Sequence, residues 1–136
     1  MALYAALARD HIGPYTSDKP DRLQFKGEPI ALPADLATPF ALVLHELATN
    51  AAKYGSLADA NGTIGLEWRV ITENDQRVFE FIWKEKGGPP VTAPVKSGLG
   101  SRLIEGAITN ATVRHEFRES GLICTIKVPL WNTSNK

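Results

Sequence analysis

One cysteine in 136 residues, Cys124, allows neither an internal disulfide nor a thiolate metal cluster, which excludes an oxidised secreted scaffold. Charge of one sign is missing as well. Fifteen basic residues balance fifteen acidic ones, so the chain is no basic module that grips nucleic acid by bulk phosphate neutralisation. No apolar run approaches the roughly 20 residues of a membrane span. The opening MALYAALARDHIGPY lacks a basic start and carries Arg9 and Asp10, so it is not expected to act as a signal peptide. Internal repeats and low-complexity segments are absent too. What is present is 43% hydrophobic and 22% charged, far too apolar for a disordered acidic tail. These features indicate a single globular domain in a reducing compartment, and a cytoplasmic location is expected.

Periodicity divides the chain into elements. Leu3, Leu7 and Ile12 predict a short helix over Ala2 to Ile12, ended by Gly13-Pro14. Leu23 to Gly27 alternates like a strand. The strongest helix spans Pro33 to Tyr54, with Leu36, Phe40, Val43, Leu44, Leu47, Ala48 and Ala51 as a wide apolar stripe and Gly55 as its end. Pro39 inside it leaves two options: a kinked helix, or Thr38 capping a helix that begins at Pro39. Ile64, Leu66, Trp68 and Val70 then alternate with polar residues. A turn at Glu73 to Gln76 leads to a second strand, Arg77 to Trp83, with Phe79, Phe81 and Trp83 on one face. The run from Gly87-Gly88-Pro89-Pro90 to Gly98 fits neither period and reads as a loop. Ser101 to Thr109 reads as a helix, and Val113 to Leu130 as a hairpin turning at Ser120-Gly121. Adjacent antiparallel strands with helices on one face argue an α+β two-layer sandwich rather than a doubly wound parallel sheet.

Three places could carry chemistry. Glu46, Asn50 and Lys53 are spaced by four and three, so they share one helical stripe, set opposite much of the leucine and valine face. Alone, that stripe reads as a solvated face with a Glu–Lys pairing. An asparagine amide oxygen is nonetheless a suitable hard ligand for Mg²⁺, and a nearby carboxylate could orient or deprotonate an attacking group. His45-Glu46 begins like a zinc-protease helix, but Thr49 stands where the second histidine is needed, so that reading fails. Second, Trp83-Lys84-Glu85 runs into Gly87-Gly88, placing a carboxylate beside exposed backbone, where it could accept from an exocyclic amine such as adenine's. Third, Gly98-Leu99-Gly100-Ser101 opens a helix, whose free N–H groups favour phosphate. It is neither a P-loop nor a dinucleotide fingerprint.

Taken in order, these pieces strongly resemble the ATP-binding domain of sensor histidine kinases of the GHKL superfamily. They resemble more specifically the HWE subfamily, with His45 in the run HELATNAAKYG and the W-x-E motif as Trp83-Lys84-Glu85. The resemblance spans about Leu23 to Leu130 and implies a Bergerat-type sandwich with a mixed, mostly antiparallel sheet. It implies ATP and Mg²⁺ as cofactors, with Asn50 holding the metal and Glu46 the polar or basic group near the γ-phosphate. Lys53 and Tyr54 would contact phosphate and ribose or base. Glu85 would take the adenine-reading role that an aspartate has in most relatives. Gly87 and Gly88 would shape the base pocket, and Gly98, Leu99, Gly100 and Ser101 would form a glycine box at the phosphates. His45 would be a subfamily feature of the nucleotide site.

A phenylalanine-containing box common in other histidine kinases is absent between Pro89 and Gly98, which makes the lid short; the resembled subfamily lacks it too. A superfamily threonine near the last strand aligns with Ile123, so Thr125 is not assigned to adenine. His11 and His115 do not match a phosphoacceptor pattern. The resemblance therefore implies an acceptor histidine on an upstream dimerisation domain outside this chain, a response regulator as the further partner, and a monomeric fragment of a longer protein. No nucleic-acid or membrane contact is expected. The expected layout is 1–14 as the end of a linker or first helix, 15–131 as the catalytic domain and 132–136 as a disordered tail. The rival reading is a nucleotide-gated interaction switch without phosphotransfer. A gyrase- or chaperone-like ATPase fits less well, since such domains are usually larger and followed by a transducer segment.

Overall fold

Alternating burial along two long strands organises the molecule. The computed structural model describes residues 2–3, 23–31, 34–54, 62–87, 111–118 and 121–130. In chain order these form β1 (Ala2–Leu3), β2 (Leu23–Lys26), β3 (Ile30–Ala31), α1 (Ala34–Tyr54), β4 (Thr63–Glu73), β5 (Gln76–Lys86), β6 (Thr112–Arg118) and β7 (Gly121–Pro129). Five strands make one sheet in the order β2-β4-β5-β7-β6, and β1 pairs with β3 separately. Only the β2–β4 pair in the larger sheet is parallel. The mixed, mostly antiparallel sheet with a helix on one face is the expected α+β sandwich.

β4 and β5 are joined by Asn74 and Asp75, with φ of 53° and 64°. Two consecutive left-handed residues match the right-handed twist of the flanking strands, and Asn and Asp tolerate that conformation better than most. In register, Trp68 faces Phe81 and Leu66 faces Trp83, so the large side chains of both strands point to one side. On β7, Cys124, Ile126 and Val128 continue that face.

α1 packs on the same face. All seven residues of its anticipated stripe, from Leu36 to Ala51, are buried. Phe40 wedges edge-on against Phe79 and Phe81, with ring centroids 5.6 and 5.0 Å away. Burial of each such side chain is worth roughly 1.5–3 kcal/mol, which fixes the helix on the sheet. Pro39 lies within the helix, which starts at Ala34, so Thr38 is an interior residue and not a cap. The missing proline N–H forfeits one bond, to the Asp35 carbonyl, but Leu36 and Phe40 on either side are anchored in the core.

The opposite face of the sheet is charged. Arg69 and Glu80 pair at 2.6 Å, Lys84 and Glu67 at 2.9 Å, and Lys127 and Glu73 at 2.8 Å. Glu73 first, with Glu80 behind it, holds the Lys127 ammonium above the usual lysine range.

Two expectations need correcting. Ala2 and Leu3, expected at the start of a helix, form a strand that pairs antiparallel with Ile30–Ala31. A two-residue partner far along the chain outweighs a weak local helical preference. β5 also continues three residues beyond Trp83, to Lys86, because β4 pairs with it as far as Thr63↔Lys86. The remainder of the first predicted helix, the loop after Gly87 and the helix at Ser101 to Thr109 lie outside the described residues.

Candidate functional site

The extension of β5 decides the geometry at Glu85. Residues two apart on a strand share a face, so Glu85 follows Phe79, Phe81 and Trp83 onto the side that α1 covers. It is only 4% exposed. A carboxylate in that position needs hydrogen-bond donors, since burying an unpaired charge costs several kcal/mol. Trp83 provides one: its Nε1–H donates to Glu85 Oε2 at 2.8 Å, and the indole is fully buried.

Two further residues surround Glu85, and neither stood out as part of a site in the sequence. Gly121, with φ of 141°, lies against the Glu85 carbonyl so closely that a Cβ would collide with it. Cys124 is opposite Trp83 in the β5–β7 register. Burial first, and then the Glu85 charge, pushes its thiol up to about 12, so it stays neutral at physiological pH. The pairing of β7 with β5 is what brings Cys124 beside this carboxylate. Gly121 had read simply as a turn glycine.

β5 holds a second buried carboxylate, and the comparison is informative. Glu80 faces the outer side and is matched by the Arg69 guanidinium, an arrangement that serves the sheet itself. Glu85 instead faces the inner side at the end of its strand, with the Trp83 indole N–H among its donors, just before Gly87. That glycine leaves β5 with φ of 78°.

On α1, Glu46 and Asn50 are half-buried, while His45 and Lys53 are exposed. Half-burial sets Glu46 and Asn50 at the border of the core face rather than opposite it. Asn50 adjoins Ala51, which packs in the same core as Trp83 and Cys124. Among the described residues neither Glu46 nor Lys53 takes part in an ion pair, so the Glu–Lys pairing of a plain solvated face is not formed. Lys53 lies in the last helical turn, where a cation complements the helix dipole. Thr49 Oγ1 donates back to the His45 carbonyl at 2.9 Å, which accounts for the residue that stands where a zinc motif needs histidine. Tyr54 is the final residue of α1.

The structure thus places Glu46, Asn50 and Lys53 on one helix and Glu85 and Gly87 at one end of a central strand. Gly88, Gly98, Leu99, Gly100 and Ser101 lie outside the described residues, as does the Tyr54 side chain. Among the described residues no three His, Cys, Asp or Glu side chains cluster into a metal site. A cation held by Asn50 would take the rest of its shell from phosphate and water, which is how Mg²⁺ commonly binds beside nucleotides.

Comparison with known proteins agrees with the fold. No family model matches the chain. The blue-light-activated histidine kinase of Brucella anthropi is 33% identical over 122 residues, covering 88% of this chain and 25% of the relative. The protein of that name from Brucella ovis is 30% identical over the same length. The chain therefore spans a quarter of the length of these curated relatives. Among solved structures, the kinase domain of the Erythrobacter litoralis blue-light-activated histidine kinase superposes with a TM-score of 0.65 at 21% identity, covering 92% of this chain and 64% of that one. The catalytic domain of the histidine kinase ThkA gives a TM-score of 0.61 at 17% identity, covering 96% and 95% respectively.

Proposed function

Taking as premise that the chain is a histidine-kinase-type ATP-binding domain, we propose that residues 15–131 bind Mg-ATP and present its γ-phosphoryl group to a histidine on a separate dimerisation domain. That histidine would relay the group to a response-regulator aspartate. The HWE subfamily, with His45 and Trp83-x-Glu85 as its marks, is the assignment we favour, and the expected location is the cytoplasm. No helix among the described residues is long and apolar enough to cross a membrane.

The observation that carries this reading is the buried Glu85 carboxylate at the end of β5, fixed by Trp83. A carboxylate so placed can accept from the exocyclic amine of adenine. Gly87, and then Gly88, would let the backbone pass close to the base. Asn50 would hold Mg²⁺, which when bound neutralises charge on the phosphates. Glu46, one turn earlier on the helix, would stand near the γ-phosphate as a polar or basic group that orients the incoming imidazole. Lys53 would add positive charge toward the phosphates, Tyr54 would meet ribose or base, and the Gly98–Ser101 segment would offer backbone N–H donors. In such a site catalysis is chiefly positioning and charge neutralisation.

The test is transfer of labelled γ-phosphate from ATP to a supplied acceptor domain, with wild type and Asn50→Ala side by side. Labelled acceptor with wild type and none with the variant is the expected result. Nucleotide binding without any transfer would contradict the kinase reading and favour the interaction switch.

A further inference from the structure

The indole of Trp83 does more than fill the core. We propose that Trp83 is a positioning residue for base recognition, which sets the orientation of the Glu85 carboxylate through its Nε1–H. This inference rests on the assignment of Glu85 to adenine and deepens it.

Glutamate reaches its carboxylate through three side-chain torsions, so a glutamate at a strand end is a poorly defined acceptor unless something fixes it. Trp83 supplies one such restraint. It is fully buried, and in register it lies between Leu66 of β4 and Cys124 of β7, both buried. Its ring is therefore immobilised by packing, and the 2.8 Å bond to Oε2 transmits that rigidity to the carboxylate. The requirement is mutual, because a buried indole N–H without an acceptor is itself costly. From the backbone side, Gly121 presses on the Glu85 carbonyl and fixes the root of the same side chain. Cys124 adds no competing charge, since its thiol is neutral. Held at both ends, the carboxylate presents one orientation to whatever enters beside it, and a purine bearing an amine at its six position is the ligand that this acceptor would select.

Removing the indole N–H donor should therefore reduce base discrimination while leaving the rest of nucleotide binding in place. The experiment titrates wild type, Trp83→Phe and Glu85→Ala with ATP and with purine riboside triphosphate, which lacks the six-amino group. Wild type should prefer ATP by about tenfold or more, the worth of one good hydrogen bond to a charged group. Trp83→Phe should lose most of that preference, with its affinity for the purine analogue unchanged within about twofold. Glu85→Ala should lose the preference entirely. A Glu85→Ala protein that still prefers ATP contradicts the adenine assignment itself. Loss of preference in Glu85→Ala, together with full preference in a folded Trp83→Phe, overturns the role of Trp83 alone.

Should Trp83→Phe not fold, the indole proton of the wild-type chain answers the question by NMR. The Trp83 Nε1–H resonance should shift on adding ATP and respond less to the purine analogue. An identical response to the two nucleotides would overturn the proposal.

Discussion

Gly121 and the backbone of Glu85 touch: the first residue of β7 lies where any Cβ would run into the Glu85 carbonyl, and its φ of 141° suits glycine alone. One contact thus joins the start of β7 to the residue proposed to read the base. Gly121→Ala should be destabilising for two independent reasons, an unfavourable backbone conformation and a collision with main chain that cannot rotate away. The expected loss is about 2–4 kcal/mol. Urea unfolding measures it, and a loss below 0.5 kcal/mol, on the order of a neutral surface change, would contradict the close approach.

Trp68 supports a second glycine. Its indole covers Gly27, leaving no room for a Cβ, and its Nε1–H donates to the Glu28 carbonyl at 2.8 Å. This clasp ties the segment between β2 and β3 to the middle of β4. Gly27→Ala should cost about 1–3 kcal/mol and alter the Trp68 environment. The obstacle is a side chain, so this loss should be smaller than that of Gly121→Ala. The two unfolding curves, with fluorescence of the Gly27→Ala protein, check both points.

Cys124 makes a pH prediction. In the unfolded chain its thiol ionises near 9.0, and in the folded chain at about 12. Between those values the folded state binds more protons than the unfolded one, so stability falls as pH rises through that interval. Cys124→Ala removes this contribution. The difference in unfolding free energy between the two proteins should be flat below about pH 8 and then move steadily in favour of the variant toward about pH 11. A flat difference throughout would contradict the raised value. Thiol reagents at neutral pH should likewise leave the native chain unmodified and label it on unfolding.

Much of this was legible in the sequence, and the parts that were not have physical reasons. The buried stripe of α1 and the inward face of Phe79, Phe81 and Trp83 followed from periods of 3.6 and 2, because burial on one side imposes those periods directly. β1 and β3 were missed because two residues carry no period, and pairing Leu3 with Ile30 is information held across the chain. The helix passing through Pro39 was undecided from sequence, since a single lost hydrogen bond competes with the burial of Leu36 and Phe40 and only packing settles the outcome. At the site, Glu85 was picked out by its motif, but its bond to Trp83 depended on β5 continuing to Lys86. Gly121 and Cys124 joined it only through the β5–β7 register.

The central claim is that this chain binds Mg-nucleotide through Asn50 and Glu85. Calorimetric titration with ADP and a non-hydrolysable ATP analogue, each with and without Mg²⁺, tests it most directly. The account predicts magnesium-dependent binding by wild type, loss of the magnesium dependence in Asn50→Ala, and weakening of both nucleotides by about tenfold or more in Glu85→Ala. Mg-ATP affinity that survives Asn50→Ala, or nucleotide affinities that ignore Glu85→Ala, would contradict it.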